Sequence, residues 1–209
     1  MKIGIIGAGF VGRAVAKLAI KAGHSVMLSN SRGPQTLFSL RAMIGCETGT
    51  SSEAARFGDV VIIAVPLLAI KELPIGELTG KLIIDSVNYY PDRDGKVDVL
   101  EKGQITTSEL LASYLPDTKI IKAFNAIPMT ELESDGLPAG SSARRALPLA
   151  GDDEEGKKVV EEFYESFGFD AVDAGLLSEG WRFERGMPSY CVRMTKIELK
   201  AVLKEAKRI

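Results

Sequence analysis

The stretch that decides the fold is residues 2–12, which read Lys2-Ile3-Gly4-Ile5-Ile6-Gly7-Ala8-Gly9-Phe10-Val11-Gly12. Its first part, Lys2–Ile6, is a short apolar run typical of a buried strand, and apolar residues recur at helical spacing through Phe10–Gly23. The glycines between them follow the pattern G-x-G-x-x-G, in which the first permits a tight turn, the second lets a ligand approach the backbone, and the third lets helix and strand pack closely. A glycine loop in this context predicts a dinucleotide site, with the pyrophosphate at the start of the helix.

The residues after the second predicted strand, Ser25–Ser29, indicate which dinucleotide is bound. An NAD enzyme places Asp or Glu there, about 20 residues past the glycine loop, to accept from the ribose 2′-hydroxyl. This chain has Asn30, Ser31 and Arg32 instead. The guanidinium of Arg32 suits a phosphate, and residues 1–46 carry six Lys or Arg and no acid. The sequence therefore predicts NADP(H) rather than NAD(H).

Composition excludes several classes of protein. The chain has 209 residues, of which 45% are hydrophobic and 26% charged, which excludes a disordered protein. A net charge of −2 gives no basic footprint for nucleic acid, and no apolar run approaches the length that spans a bilayer. Cys46 and Cys191 are isolated, so neither a redox pair nor a zinc site is expected. We expect a cytoplasmic, soluble protein without a targeting segment, and with neither nucleic-acid nor membrane partners.

Strands and helices alternate along the chain, which predicts an α/β fold, a Rossmann-type doubly wound and mostly parallel sheet. We expect one domain over 1–209, with a dinucleotide-binding core over about 1–128 and a small βαβ extension over about 144–209. The remaining predicted strands are Asp59–Val65, Lys81–Asp85, Lys119–Phe124, Arg145–Ala150 and Phe169–Asp173. The remaining predicted helices begin near Gly33, Ser51, Leu67, Thr107, Gly151 and Thr195.

Two features of the extension have local explanations. The acidic run Asp152–Glu155 is read as a helix cap with first-turn acids that match the helix dipole, and we predict no metal site there. The last helix, Thr195–Lys207, is amphipathic, and its predicted buried face comprises Ile197, Leu199, Val202 and Leu203. Gly175–Tyr190 is expected to be mostly irregular.

The predicted site lies at the carboxyl ends of the strands, where open α/β sheets bind their ligands. Pro66 would shape a wall, whereas Asn88 and Asn125 would either hydrogen-bond a ligand or only hold a loop in place. The predicted cofactor-binding residues are Gly7, Ala8, Gly9, Phe10, Val11, Gly12, Asn30, Ser31, Arg32, Ala64, Val65, Pro66, Asn88, Asn125, Ala126 and Ile127.

The sequence offers no catalytic acid or base, and we predict no catalytic residue. The only histidine, His24, precedes the second strand at the opposite end from the site and is expected to be structural. Lys122 and Asp85 are conceivable proton donors, but each fits more easily as a charge at a strand end. A planar redox partner needs only proximity and orientation, since hydride passes from ring to ring. The absence of a proton-transfer group therefore favours such an acceptor.

Five stretches in order resemble the NADPH-dependent coenzyme F420 reductase family: residues 2–9, Ser29-Asn30-Ser31-Arg32-Gly33-Pro34, Lys122-Ala123-Phe124-Asn125, Gly151-Asp152-Asp153 and Asp173-Ala174-Gly175-Leu176. They are also similar to the cytosolic domain of the six-transmembrane ferric reductases. The resemblance implies that Ser31 and Arg32 bind the 2′-phosphate and that the loops at Pro66 and Asn125–Pro128 border the nicotinamide. It further implies a flavin or deazaflavin (coenzyme F420) as co-substrate.

The leading hypothesis is an NADP(H)-dependent oxidoreductase that moves hydride between nicotinamide and a flavin or deazaflavin. The alternatives are a reductase of a small carbonyl or imine, with Lys122, Asp85 or a tail residue as proton donor, and a non-catalytic NADPH sensor. The aromatic residues Trp181, Phe183 and Tyr190 would either stack on a flavin-like ring or anchor the tail. The expected partner is a small-molecule redox acceptor, and a homodimer through the terminal segment is possible.

Overall fold

The protein is built on one twisted sheet of eight strands, seen in a computed structural model that describes residues 1–208. The strand order is β3-β2-β1-β4-β5-β6-β7-β8, so the chain starts in the middle of the sheet and winds outward in both directions. The strands are β1 (Lys2–Ile6), β2 (Ser25–Ser29), β3 (Glu47–Gly49), β4 (Val60–Ile63), β5 (Leu82–Asp85), β6 (Lys119–Lys122), β7 (Ala146–Gly151) and β8 (Asp170–Asp173). The predicted fold class is confirmed.

Helices cover both faces of the sheet. The α-helices are α1 (Phe10–Lys21), α2 (Phe38–Ile44), α3 (Ser51–Phe57), α4 (Ile75–Leu78), α5 (Pro91–Asp94), α6 (Asp98–Glu101), α7 (Thr107–Tyr114), α8 (Glu154–Phe167) and α9 (Lys196–Glu205). Three 3-10 helices span Pro34–Leu37, Leu67–Glu72 and Leu177–Phe183. Within residues 1–208, no helix has both the length and the apolar character needed to cross a membrane.

Alternate residues of each central strand face two separate cores. Ile3, Ile5 and Ile62 pack under α1 and α8, whereas Ile63 and Ile83 pack under α3, α7 and the 67–72 helix. Strands β1 to β6 pair in parallel, and their near-continuous apolar composition reflects burial on both faces. The crevice between β1 and β4, where the winding direction reverses, is therefore open for a ligand at the carboxyl ends of the strands.

The extension is a βαβ unit, as predicted, but it joins the rest of the sheet through an antiparallel pair. β7 pairs antiparallel with β6, and β8 pairs parallel with β7. β7 and β8 consequently run toward the edge of the sheet opposite the crevice. The 177–183 helix brings the chain back along β6, from Leu177, whose N–H donates to Asp152, to Phe183, whose carbonyl accepts from Asn125. Gly180 makes this path possible, because a Cβ there would lie 2.8 Å from the Lys122 Cδ.

Most predicted helices are present with shifted ends, and two details are wrong. Asp153 caps α8 by accepting from the Gly156 N–H at 2.8 Å, as the acidic run predicted. In α9, Leu199 and Leu203 are buried and Val202 is half-buried, but Ile197 is 83% exposed. The capping box of Thr195 and Glu198 starts the helix at Lys196 and turns Ile197 away from the sheet. Residues 177–183, expected to be irregular, form the last 3-10 helix.

Candidate functional site: a dinucleotide cleft

The glycine loop has the geometry that its spacing predicts. Gly7 adopts a φ of +115°, and a Cβ there would lie 2.2 Å from the Ala64 carbonyl oxygen. A Cβ on Gly12 would lie 1.9 Å from the Gly7 carbonyl oxygen, so only glycine allows α1 to pack against the end of β1. At these two positions, contacts within the protein itself require glycine.

Gly9 is different, because it faces open space. Among residues 1–208, no atom lies within 4 Å of the position that a Cβ on Gly9 would take. Its backbone is extended, with φ −73° and ψ −169°, so no glycine-only conformation is required. The start of α1, over the described residues, has neither a side-chain cap nor a first-turn acid. The exposed N–H groups and the cleared backbone are suited to a pyrophosphate.

The turn after β2 presents two free polar side chains. Asn30 organises this turn: its Oδ1 accepts from the Arg32 N–H at 3.1 Å, and its Nδ2 donates to Thr36 Oγ1 at 2.9 Å. Ser31 and Arg32 are exposed, and over residues 1–208 the Arg32 guanidinium makes no ion pair. Asn30 thus shapes the loop, while Ser31 and Arg32 are available to a phosphate.

These loops surround one cleft of about 640 Å³. The cleft brings together nine of the predicted residues: Gly7, Ala8, Gly9, Asn30, Ser31, Arg32, Ala64, Val65 and Pro66. Sequence reasoning missed Arg13, Thr50, Ser51, Ala69, Glu72 and Leu73, which also line it. Arg13 could have been found, since it is one helical position past Gly12 and its Nε donates to the Ala8 carbonyl at 2.7 Å. Thr50 and Ser51 follow β3, a three-residue strand that no periodicity reveals.

Seven predicted residues lie outside this cleft. Phe10 is 69% exposed at the first position of α1, whereas Val11 and Gly12 pack toward the sheet. Ala126 and Ile127 are buried, and their side chains pack into the cores rather than facing the cleft. Asn88 and Asn125 are the remaining two of the seven residues outside the cleft.

Asn88 and Asn125 hold their two loops together. Asn88 Nδ2 donates to the Asn125 carbonyl at 3.0 Å, and Asn125 Nδ2 donates to Asn88 Oδ1 at 3.3 Å and to the Phe183 carbonyl at 3.1 Å. Asn125 is 3% exposed, and its Oδ1 accepts no hydrogen bond from residues 1–208. The sequence predicted that these asparagines either bind a ligand or hold a loop in place, and the structure shows the second role.

Lys122 and Asp85 form a sealed network instead of solvated strand-end charges. They are direct neighbours in the β5–β6 register, and neither side chain is exposed. Lys122 Nζ donates to Thr107 Oγ1 at 2.7 Å and to Ser108 Oγ at 3.2 Å, and Ser108 Oγ donates to Asp85 Oδ2 at 2.6 Å. Burial raises the pKa of the Asp85 carboxyl above its usual value. Neither group faces the dinucleotide cleft.

His24 lies at the amino-terminal end of β2, far from this cleft. Its ring packs edge-on against Phe163, with 5.4 Å between ring centroids, and burial lowers its pKa. The aromatic tail residues have separate environments. Phe183 is fully buried, the Tyr190 hydroxyl is hydrogen-bonded to the Tyr90 hydroxyl, and Trp181 lines a second cavity.

Comparisons with known proteins agree with this geometry. Residues 2–89 match the sequence profile of the family described as NADP oxidoreductase, coenzyme F420-dependent. The chain is 28% identical over 201 residues to the metalloreductase STEAP3 of Rattus norvegicus, covering 91% of this chain and 38% of that protein. The chain therefore spans less than half the length of this relative.

Solved structures share the whole architecture. The protein SMa0349 of Sinorhizobium meliloti superposes with a TM-score of 0.79 at 29% identity, covering 94% of this chain and 95% of that one. A structure from Arthrobacter sp. FB24, described as an F420-dependent NADP reductase, has a TM-score of 0.70 at 22% identity and covers 84% of each chain. The fold and the glycine loop are those of a dinucleotide-binding domain, and the family whose profile matches residues 2–89 is one of NADP-dependent oxidoreductases. The particular resemblance is to the coenzyme F420-dependent reductases, and the resemblance predicted from the sequence is confirmed.

Proposed function

We propose that the protein binds NADPH in the dinucleotide cleft and reduces a flavin or deazaflavin acceptor. The observation that carries the nucleotide assignment is the turn after β2, where Ser31 and Arg32 are exposed and no carboxylate occupies the ribose position. A free guanidinium at that place suits the 2′-phosphate that distinguishes NADPH from NADH.

The open space at Gly9 supports the same proposal. The backbone there is cleared of side chains, and the first turn of α1 presents unpaired N–H groups, so the residues present fit a bound pyrophosphate. Arg13 adds a second cation to the cleft, in which Glu72 is the one acidic lining residue over the described chain. The charge balance of the cleft favours an anionic ligand.

Bound NADPH supplies a hydride, which carries both electrons to the acceptor and leaves NADP⁺. The chain has to bind the nucleotide, orient its nicotinamide and exclude water. Ser31 and Arg32 would hold the 2′-phosphate, and the start of α1 would hold the pyrophosphate. The linked loops of Asn88 and Asn125 would form a rigid rim beside the nicotinamide.

The burial of Lys122 and Asp85 argues against a small carbonyl or imine substrate that relies on either as proton donor. Both side chains are fully buried and hydrogen-bonded to Thr107, Ser108 or Val87, away from the cleft. A general acid must be within hydrogen-bond reach of its substrate. The arrangement therefore favours a reaction in which hydride transfer between rings suffices.

Anaerobic NADPH consumption tests the proposal, with coenzyme F420, FMN, FAD and no acceptor run in parallel. We expect rapid loss of absorbance at the nicotinamide band with one flavin-type acceptor, and little loss with NADH. Tight NADPH binding without NADPH oxidation in the presence of any acceptor would overturn the proposal and favour a non-catalytic NADPH sensor. Turnover only with carbonyl or imine compounds would favour the small-substrate reductase.

A further inference from the structure

A second cavity of about 300 Å³ lies beside the tail and shares no lining residue with the dinucleotide cleft. Four parts of the chain form it: the segment 89–105 that follows β5, the first residue of α7, the segment 181–187, and Arg208. Its volume is at the lower end of the range for small-molecule sites. The mechanism described above makes no use of it.

The walls of this cavity are aromatic and apolar. Tyr89, Leu100, Ile105, Trp181 and Met187 line it. The indole of Trp181 is held from behind by Arg182, whose guanidinium lies 4.6 Å from the ring centroid and bonds Glu179 at 2.6 Å and the Leu203 carbonyl at 2.8 Å. A fixed indole in an apolar wall is suited to stacking on a planar ring.

Two carboxylates line the cavity: Glu101, which accepts from the Tyr89 hydroxyl at 2.8 Å, and Glu184, which is held in place by the buried network. Glu184 Oε1 accepts from the Thr107 N–H at 2.9 Å and from the Thr107 hydroxyl, and lies 3.4 Å from Lys122 Nζ. Over residues 1–208, the hydrogen bonds to the Glu184 carboxylate all end on Oε1. Its Oε2 is thus free to accept from a ring N–H, and Lys122 and Thr107 fix its position.

Two cations complete the cavity. Arg185 is about half exposed; its guanidinium lies 5.5 Å from the Tyr90 ring centroid and 4.0 Å from the exposed carboxylate of Asp92, and Arg208 also lines the cavity. Guanidinium groups bind phosphate and carboxylate oxygens well. A ligand with a planar ring between the apolar walls could direct an anionic tail toward these arginines.

The cavity also lies next to the predicted nicotinamide position. Tyr89, in its wall, directly follows Asn88, and Phe183, the residue before Glu184, accepts the hydrogen bond from Asn125. Asn88 and Asn125, which we propose as the rim of the nicotinamide region, therefore connect directly to the walls of the second cavity.

We propose that this cavity is the seat of the redox acceptor, a planar nitrogen heterocycle with an anionic tail, with Trp181 stacking on the ring, Glu184 accepting from a ring N–H, and Arg185 binding the tail. The assignment rests on the proposed function, which names a flavin or deazaflavin as acceptor. It adds a location and three specific contacts.

Calorimetric titration of the NADP⁺-saturated protein with FMN, coenzyme F420 and riboflavin tests the site independently of turnover. Trp181→Leu should raise the Kd of every probe that binds about tenfold. Arg185→Ala should raise the Kd for phosphorylated FMN and F420 but leave that for riboflavin unchanged, because riboflavin has no anionic tail. Met187→Glu, which places a charge in the apolar wall, should abolish binding.

Two surface variants serve as matched controls. Arg56→Ala removes an exposed arginine paired only with Glu77, and Glu161→Gln removes an exposed acid on α8. Both should bind the probes as the wild type does. Unchanged Kd values in folded Trp181→Leu and Met187→Glu would overturn the cavity assignment even if NADPH is oxidised. Variant-sensitive binding without NADPH oxidation would retain the cavity and refute the proposed reaction, while no binding of any probe to the wild type would refute the site.

Discussion

The Lys122 ammonium lies 3.8 Å from the Asp85 carboxylate between adjacent parallel strands, and both side chains are fully buried. Removing one partner of such a pair leaves an uncompensated buried charge. Lys122→Met should therefore lower the free energy of unfolding by about 3–5 kcal/mol. Urea denaturation measures this change.

Combining Lys122→Met with Asp85→Asn should recover part of the loss, since the carboxylate charge is then absent as well. Lys200→Met, on the exposed side of α9, is the matched control and should unfold as the wild type does. If Lys122→Met unfolds at the same urea concentration as this control, the buried pair is unimportant for stability.

We expect the preference for NADPH over NADH to depend on Arg32. Arg32→Ala should raise the NADPH dissociation constant by about 10- to 100-fold, because one charge-assisted contact to the 2′-phosphate is lost. NADH has no such phosphate, so its dissociation constant should change little. Fluorescence titration with both nucleotides measures the difference.

The matched control for this substitution is Arg41→Ala. Arg41 is an exposed arginine on α2 that does not line the dinucleotide cleft. It carries the same charge in the same positive segment of the chain. An equal loss of NADPH affinity in both variants would indicate a general field effect and contradict a specific phosphate contact.

Gly9 and Gly12 should respond in opposite ways to alanine. In Gly9→Ala, the added Cβ has no atom of residues 1–208 within 4 Å, and the backbone conformation is one that alanine adopts. The free energy of unfolding should therefore change by less than about 1 kcal/mol, while NADPH binding weakens strongly. Gly12→Ala drives a Cβ into the Gly7 carbonyl and should destabilise the fold by about 3 kcal/mol or more. Thermal unfolding and nucleotide titration of the same samples separate the two effects. A destabilised Gly9→Ala would contradict the open space.

The negative charge of Asp153 should add to stability beyond the contribution of the helix cap that its side chain forms. Its hydrogen bonds with Lys119, at 2.8 Å, and the Gly156 N–H hold the pKa of Asp153 below its usual value. A lowered carboxyl pKa means that the unfolded state binds protons first as acid is added. This stabilisation is full above the unfolded pKa near 3.8 and is lost as the pH falls through the lower folded value.

The variant Asp153→Asn isolates that charge, because asparagine still caps a helix. Its deficit in unfolding free energy relative to the wild type should be present at pH 6 and vanish in strong acid. Asp153→Ala should lose about 1 kcal/mol more at every pH, because the cap itself is removed. Denaturant titrations across this pH range test both statements, and a deficit in Asp153→Asn that persists in strong acid would contradict them.

The features predicted correctly from the sequence are those that depend on neighbouring residues in the chain. The glycine loop, the apolar central strands and the cap at Asp153 each follow from residues close together in the chain, and their elements are present as expected. The turn at Asn30–Arg32 was likewise recognisable, because it combines a missing carboxylate with an arginine. These features bring nine of the predicted cofactor residues to one cleft.

The features that the sequence did not predict depend on pairing between residues far apart in the chain. The burial of Lys122 depends on the strand register that sets it beside Asp85, and the reversed direction of β7 depends on its partner rather than on its own residues. Helix type also escaped prediction at 67–72. Pro66 and Pro74 flank that segment, and the residue before a proline is driven out of the helical region, so the short helix stays 3-10.

The return of the chain along β6 has a consequence for how this protein can diversify. The two cavities are drawn from separate stretches, one from residues 6–73 and the other from residues 89–208. Mutations in the later stretch can reshape one cavity while the lining of the other stays intact. Such a division makes the architecture modular. If the two cavities hold the nucleotide and the acceptor as proposed, each site could be exchanged separately, by evolution or by grafting segment 176–191 between related chains.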